Sequence, residues 1–267
     1  MKDALFFART HIARGRAGIR AGPSHCSEAS GVDVIVTIGY PATLAAKTAG
    51  IPTVAAAGVG DPVGTGLVNS LAQPGGTVTG ISDNATTLST KRLSLLKELL
   101  PNLRRVAMLW NADDLGMSLR YEACAAAARS IDVIVQPLGV REPHDFVKAF
   151  ETMDREPPDA ILMMSDTLTV LNRKYVFDYA AAKRLPAIYE SEPYVRAGGL
   201  MSYGADRKEL FQRAAALVDR IFKGAKPADL PFEQPTRYLF MVNLGVAKAM
   251  GLDIPPNLLA LADEVIE

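Results

Sequence analysis

Residues 32–62 read VDVIVTIGYPATLAAKTAGIPTVAAAGVGDP. Val32–Ile38 is an apolar run rich in β-branched residues and closed by Gly39, the pattern of a strand buried on both faces. Pro41 suits the first turn of a helix, because a first-turn N–H has no helical partner to lose. Ala42–Ala49 continues that helix and Gly50 stops it. Thr53–Ala57 is the next strand, and Gly58-Val59-Gly60-Asp61-Pro62 a loop. Strand, turn, helix and strand within thirty-one residues is the repeating unit of a parallel α/β sheet.

The pattern continues downstream. A short helix is expected near Gly66–Leu71, a turn at Gln73-Pro74-Gly75-Gly76 and a short strand at Val78–Ile81. Leu88–Leu99 carries leucines at helical spacing and Pro101 stops it. A second series begins at Val106: strands at Val106–Trp110, Val133–Pro137, Ala160–Met164 and Pro186–Tyr189 alternate with helices at Gly116–Arg129, Pro143–Met153 and Val170–Lys183. Strand Leu200–Tyr203, the amphipathic helix Asp206–Phe222, strand Tyr238–Val242 and helix Leu244–Met250 complete it. The break at Pro101 favours two sheets over one.

Composition narrows the function. The chain has 267 residues, 49% of them hydrophobic, enough for a packed core. Lys+Arg and Asp+Glu are both 29, so no broad basic field exists for nucleic acid or an anionic membrane surface. No run of eighteen apolar residues supports a transmembrane helix. Cys26 and Cys124 cannot form a disulfide framework or a four-thiolate zinc site, and His11, His25 and His144 are far apart. Residues 1–31 carry Lys2, Arg9, Arg14, Arg16 and Arg20 against Asp3 and Glu28, with no apolar run long enough for a secretory signal.

In open α/β sheets ligands sit outside the carboxyl ends of strands, so the loops after strands hold the candidate residues. After Ile38, Tyr40, Ala42 and Thr43 open a helix whose free N–H groups can hold a carboxylate. Asp61 can accept a ligand amine or hydroxyl, or cap the helix after it. Gly58-Val59-Gly60-Asp61-Pro62-Val63-Gly64 is one residue longer than the dinucleotide fingerprint and lacks a P-loop ending, which argues against a nucleotide cofactor. Asp113 and Asp114 could pair as an acid/base couple or bind a cation, but capping is favoured over either; Ser165 and Asp166, after an apolar strand, are stronger ligand candidates. Tyr189 with Glu190, and Tyr203, offer a ring beside a carboxylate and a ring at a strand end. No Gly-x-Ser-x-Gly elbow exists and no histidine lies in these loops, so a Ser/His/Asp triad is disfavoured. Aromatics, hydroxyls and carboxylates without base, metal or cofactor motif suit binding rather than catalysis.

Four segments carry a resemblance: TIGYPATLAAKTAGIPTV (37–54), VGDPVGTGLVNSLAQPGGTVTGIS (59–82), LPAIYESEPYVRAGGLMSYG (185–204) and KGAKPADLPFEQPTRYLFMVNLGVAKAMGLDIPP (223–256). In this order they resemble the substrate-binding proteins of ABC importers, in the subgroup of tryptophan- and tyrosine-type binders. The resemblance implies an α/β fold of the type I periplasmic-binding-protein kind: two Rossmann-like lobes with parallel sheets, joined by a hinge around a ligand cleft. It places residues 32–85 and 195–225 in lobe one, and 86–194 and 226–267 in lobe two. It implies a small organic solute, an amino acid or aromatic carboxylate, with an ABC permease and ATPase as partners and no cofactor. Tyr40, Ala42, Thr43 and Asp61 would line lobe one, with Tyr203 near the hinge. Ser165, Asp166 and Tyr189 would line lobe two, with Glu190 near the hinge.

The same resemblance implies a strand–helix–strand unit before Val32. Residues 1–31 do not match one, as in a misplaced start, a frameshift or a degenerate copy. Lobe one is then expected to be incomplete, with Val34, Val36 and Ile38 near an open sheet edge. A periplasmic location is implied by the resemblance, a cytoplasmic one by a chain that starts at Met1 without a signal. Two other readings stay open: a remnant without transport function, and a cytoplasmic ligand-sensing core of the same fold.

Overall fold

The computed structural model describes residues 32–82 and 84–267. The chain divides into two compact units. One comprises the described residues up to Asn84 together with Arg207–Pro235; the other comprises Ala85–Asp206 and Thr236–Glu267.

Unit one contains β1 (Ile35–Ile38), α1 (Tyr40–Thr48), β2 (Thr53–Ala57) and β3 (Val78–Gly80), all three strands parallel in the order β1-β2-β3. The long helix Arg207–Phe222, α8 in chain order, packs on β2 and β3. Gly39 has φ 89° at the end of β1, a left-handed turn that favours glycine. Gly58, at the end of β2 with φ 75°, lies so close that a Cβ there meets the Gly39 nitrogen at 3.2 Å. The two strand-end loops therefore touch through bare backbone. The helix expected near Gly66–Leu71 does not form; residues 62–66 are a turn and 67–72 bends and irregular backbone, with Leu67 and Val68 buried. Val34 is buried while Val36 and Ile38 are half-buried, and among the described residues β1 pairs with β2 alone. The expectation about a unit before Val32 falls on residues 1–31, outside the described residues.

Unit two begins with α2 (Ala85–Leu99), β4 (Arg105–Asn111), α3 (Leu115–Ala128), β5 (Ile134–Val140), α4 (Asp145–Arg155) and β6 (Ala160–Met163). It continues through α5 (Thr167–Leu171), α6 (Arg173–Lys183), β7 (Ala187–Tyr189), α7 (Glu192–Arg196) and β8 (Met201–Ala205). After α8 the chain returns as β9 (Tyr238–Asn243), α9 (Leu244–Met250), α10 (Pro256–Leu261) and β10 (Glu264–Ile266). The seven strands lie in the order β10-β9-β8-β7-β6-β4-β5, parallel except for the β8–β9 pair. Successive residues of β4 serve opposite faces: Val106, Met108 and Trp110 join α2 and α3, whereas Ala107 and Leu109 join α4 and α6. A sheet covered on both faces explains why these strands read as continuous apolar runs.

The unit boundaries differ from those expected at 195 and 226. Residues 201–205 pair with both β7 and β9, which holds them and Asp206 in unit two. Residues 230–233 bond instead to unit one: the Phe232 N–H donates to Leu71 O and the Glu233 N–H to Gly80 O. Tyr203 accordingly belongs to unit two and not to lobe one. The helix expected over Val170–Lys183 is two helices, broken at Asn172.

Candidate functional site

In unit two the chain runs from β4 outward to β5, then returns across β4 to β6. Loops leaving β4 and β6 therefore head in opposite directions, which makes the carboxyl ends of these two neighbouring strands the place where open α/β sheets hold a ligand. Those loops carry Asn111–Asp114 and Met164–Asp166.

Each loop ends in an aspartate that caps the next helix. Asp114 Oδ1 accepts the Met117 N–H at 3.1 Å. Asp166 Oδ1 accepts the Thr169 N–H at 2.7 Å, and the Thr169 hydroxyl answers by accepting the Asp166 N–H at 2.9 Å. This is a reciprocal capping box. The other oxygen, Oδ2, is buried on both residues with no hydrogen-bond partner among the described residues, and so is Ser165 Oγ. Such orphaned polar atoms are rare in native interiors and call for a ligand or water. Burial pushes the Asp114 carboxyl up to about 6, and the nearby Asp166 charge adds to the rise against the Met117 N–H and Arg120. Asp166 is also raised, chiefly by burial, against the opposing hydrogen bonds from the Thr169 backbone and hydroxyl and from the Asn111 side chain. Carboxyls in this condition favour a nearby cation, because a positive charge offsets what burial costs the ionised form.

Glu190, just beyond β7, stands beneath the β6 loop. Its Oε1 accepts from Arg92 Nη1 at 3.0 Å and from Arg120 Nη2. Its Oε2 accepts the Ser165 N–H at 3.0 Å. Arg92 and Arg120 are buried, on α2 and α3 respectively. Three protein donors thus occupy the Glu190 carboxylate, expected from the sequence as a ligand acceptor. Tyr189 is 1% exposed and stacked on Tyr194 at 5.4 Å within the apolar core. Tyr203 is half-buried on β8 beside Tyr238 and Phe240.

In unit one the expected residues serve the local fold. Tyr40 and Ala42 are buried, Tyr40 within a cluster that includes Val59, Leu67 and Phe232. The Thr43 hydroxyl donates to Gly39 O at 2.7 Å and bonds Thr37 Oγ1 at 2.8 Å, so the hydroxyl expected to face a ligand is committed to the helix start. Asp61 is exposed and closes its own turn, accepting the Val63 and Gly64 N–H groups at 3.0 and 2.9 Å. Of the residues expected from the sequence, Ser165 and Asp166 keep unpartnered buried atoms. Asp114, read from the sequence chiefly as a cap, also keeps one, and Arg92 and Arg120, which the sequence reading did not single out, reach the β6 loop through Glu190. A signal existed for both arginines. Arg92 falls on the Leu88, Leu95, Leu99 stripe of α2, and Arg120 on the Met117, Cys124, Ala128 stripe of α3, where apolar residues are the rule.

The model of the ABC transporter substrate binding protein family matches residues 23–266. The chain belongs to this family. The fold is that of the type I periplasmic binding proteins. Among solved structures, an ABC domain from Streptococcus pneumonia in complex with L-Trp is 27% identical, with a TM-score of 0.84 over 91% of this chain and 85% of that one. A conserved domain protein from Vibrio cholerae is 25% identical, with a TM-score of 0.83 over 91% of this chain and 84% of that one. The tyrosine-binding protein of Clostridioides difficile is 27% identical over 222 residues, 82% of this chain and 63% of that protein. This substrate-binding protein thus spans less than two thirds of that relative's length. None of its described helices is long and apolar enough to cross a membrane.

Proposed function

We propose that this substrate-binding protein captures a free amino acid, with an aromatic side chain as the leading class, and passes it unchanged to an ABC permease on the outer side of the membrane. The observation that carries the reading is the pair Asp114 and Asp166, each with one buried oxygen unpartnered, beside the unpartnered Ser165 hydroxyl. A ligand ammonium placed there receives two charge-assisted acceptors in a low-dielectric site, and Ser165 supplies a hydrogen bond to a neighbouring polar group. The L-Trp complex and the tyrosine-binding relative support an amino acid over a sugar or a metal. With acids, hydroxyls and no activated nucleophile at these loops, the site suits release of an unaltered solute.

The test is a thermal-shift screen of the full chain against free L-amino acids, their N-acetyl forms and aromatic acids, followed by calorimetric titration. A solute that binds only the folded state raises the melting temperature. The expected result is a shift with L-tyrosine or L-tryptophan that disappears on N-acetylation. A shift with aromatic acids that lack an amine, and none with amino acids, overturns the ammonium assignment. A complex with the permease, reconstituted in proteoliposomes, tests the transport half of the reading.

A further inference from the structure

We propose that Glu190 is a positioning residue for solute binding: clamped by Arg92 and Arg120, its carboxylate holds the Ser165 backbone so that Ser165 and Asp166 are set before the solute arrives. This rests on the proposed ammonium site.

The bonds around the loop support it. The Ser165 N–H goes to Glu190 Oε2, the Asp166 N–H to Thr169 Oγ1, and the Thr169 hydroxyl lies 2.7 Å from Met164 O. These backbone groups are thereby satisfied within the protein, and Ser165 Oγ and Asp166 Oδ2 remain unpartnered. Glu190 is itself immobilised. Both arginines reach the same Oε1, and Arg92 Nε also donates to Tyr203 O at 2.6 Å, tying α2 to β8. The Glu190 backbone presses on β8 so closely that a Cβ at Gly204 would collide with Glu190 O. Arginines from two helices and the backbone of a neighbouring strand therefore fix one carboxylate, and that carboxylate fixes the loop. A loop ordered in advance loses less conformational freedom on binding, which appears as affinity. An ion cluster that only stabilised the fold would need no bond from its acceptor to a ligand loop.

The experiment titrates the full chain with L-tyrosine and L-tryptophan by calorimetry, well below each variant's melting temperature, for wild type, Glu190→Gln, Glu190→Ala, Arg120→Lys and Asp166→Asn. Hydrogen bonds to charged groups of this strength predict about tenfold weaker binding for Glu190→Gln and about a hundredfold for Glu190→Ala. Only partial rescue in Gln is expected: its one amide oxygen can still accept the Ser165 N–H, but the NH2 then faces the Arg92 and Arg120 donors in place of Oε1. Amide exchange supplies a readout without mutation: the Ser165 N–H is slow in the ligand-free wild type. Glu190 variants that melt lower yet bind with wild-type affinity overturn the inference, as does fast Ser165 exchange in the wild type. Should the Glu190 variants fail to fold, Arg120→Lys and the exchange measurement decide. Loss of binding in Asp166→Asn with unchanged Glu190 variants sinks the positioning role alone. Unchanged affinity in Asp166→Asn sinks the ammonium site beneath it.

Discussion

Asp114 and Asp166 hold the same post in two strand-to-helix turns: each gives Oδ1 to the backbone N–H three residues on and leaves Oδ2 buried without a partner. One oxygen stabilises the helix start; the other has lost water without gaining a bond from the protein, which costs free energy until a ligand supplies one. Under the proposed function, one residue is both cap and ligand residue. Cap and ligand are alternatives on sequence grounds, but the two oxygens of one carboxylate can serve both.

Stability is expected to depend on pH through Asp114. Its folded carboxyl titrates at about 6 against an ordinary value of 3.8. A raised acid favours the folded state where it is protonated, so its contribution is full below about pH 4 and is lost as pH rises through about 6. The displacement is equivalent to about 3 kcal/mol. Asp114→Asn keeps the cap oxygen and removes the charge. It is expected to melt several degrees higher than wild type at pH 8 and to show a flatter stability profile between pH 4 and pH 7, read by circular dichroism across a buffer series.

Charge and capping can be separated at the β6 loop. Asn at position 166 still accepts the Thr169 N–H, so Asp166→Asn is expected to fold like wild type. Its affinity for an α-amino acid is expected to fall roughly tenfold to a hundredfold, the loss typical of one charge-assisted hydrogen bond. Titration calorimetry measures this, and wild-type affinity in the variant would refute the ammonium assignment.

Gly204→Ala tests the close approach of β8 to Glu190. A new Cβ there collides with the Glu190 carbonyl, which is backbone and cannot swing aside, so relief requires the strand to move. Overpacking of this kind costs about 1–3 kcal/mol. Urea unfolding should show a lower midpoint. A midpoint equal to wild type would mean that β8 shifts freely.

Trp110 provides a built-in reporter. It is the single tryptophan, 7% exposed, and stacks on Tyr121 at 4.2 Å immediately before Asn111. Tyr121→Ala opens one face of the indole, and its emission is expected to move to longer wavelength. Addition of L-tyrosine to the wild-type protein is expected to change the Trp110 signal saturably. A titration with no change would argue that the solute does not reach the end of β4.

Strand and helix order is legible in the sequence because the strands of unit two are covered on both faces, so their apolar runs are unbroken and glycines or prolines mark their ends. The Gly66–Leu71 segment misleads because its apolar residues, Leu67 and Val68, are buried from irregular backbone rather than from a helix. The boundary between units is misplaced by sequence reading because a strand's sheet is chosen by its hydrogen-bond neighbours, and β8 finds them in β7 and β9. At the candidate site, Ser165 and Asp166 are singled out by their position after an apolar strand, and the structure leaves one buried atom of each unpartnered. Tyr189 and Glu190 stand equally at a strand end, yet one ring turns into the core and one carboxylate meets two arginines distant in sequence.

From its residues alone, this chain declares two α/β series, the loops where a solute can be met, and the absence of a nucleophile, metal or nucleotide motif there. Those are local properties, written in apolar periodicity and in the residue after each strand. Which oxygens stay unpartnered, and which are consumed by the protein itself, was decided only when α2, α3, β6 and β7 came together, because hydrogen-bond partners separated by 98 or 70 residues have no signature in either neighbourhood. Burial then raised Asp114 and Asp166, and desolvation is a property of the packed interior that no single segment carries.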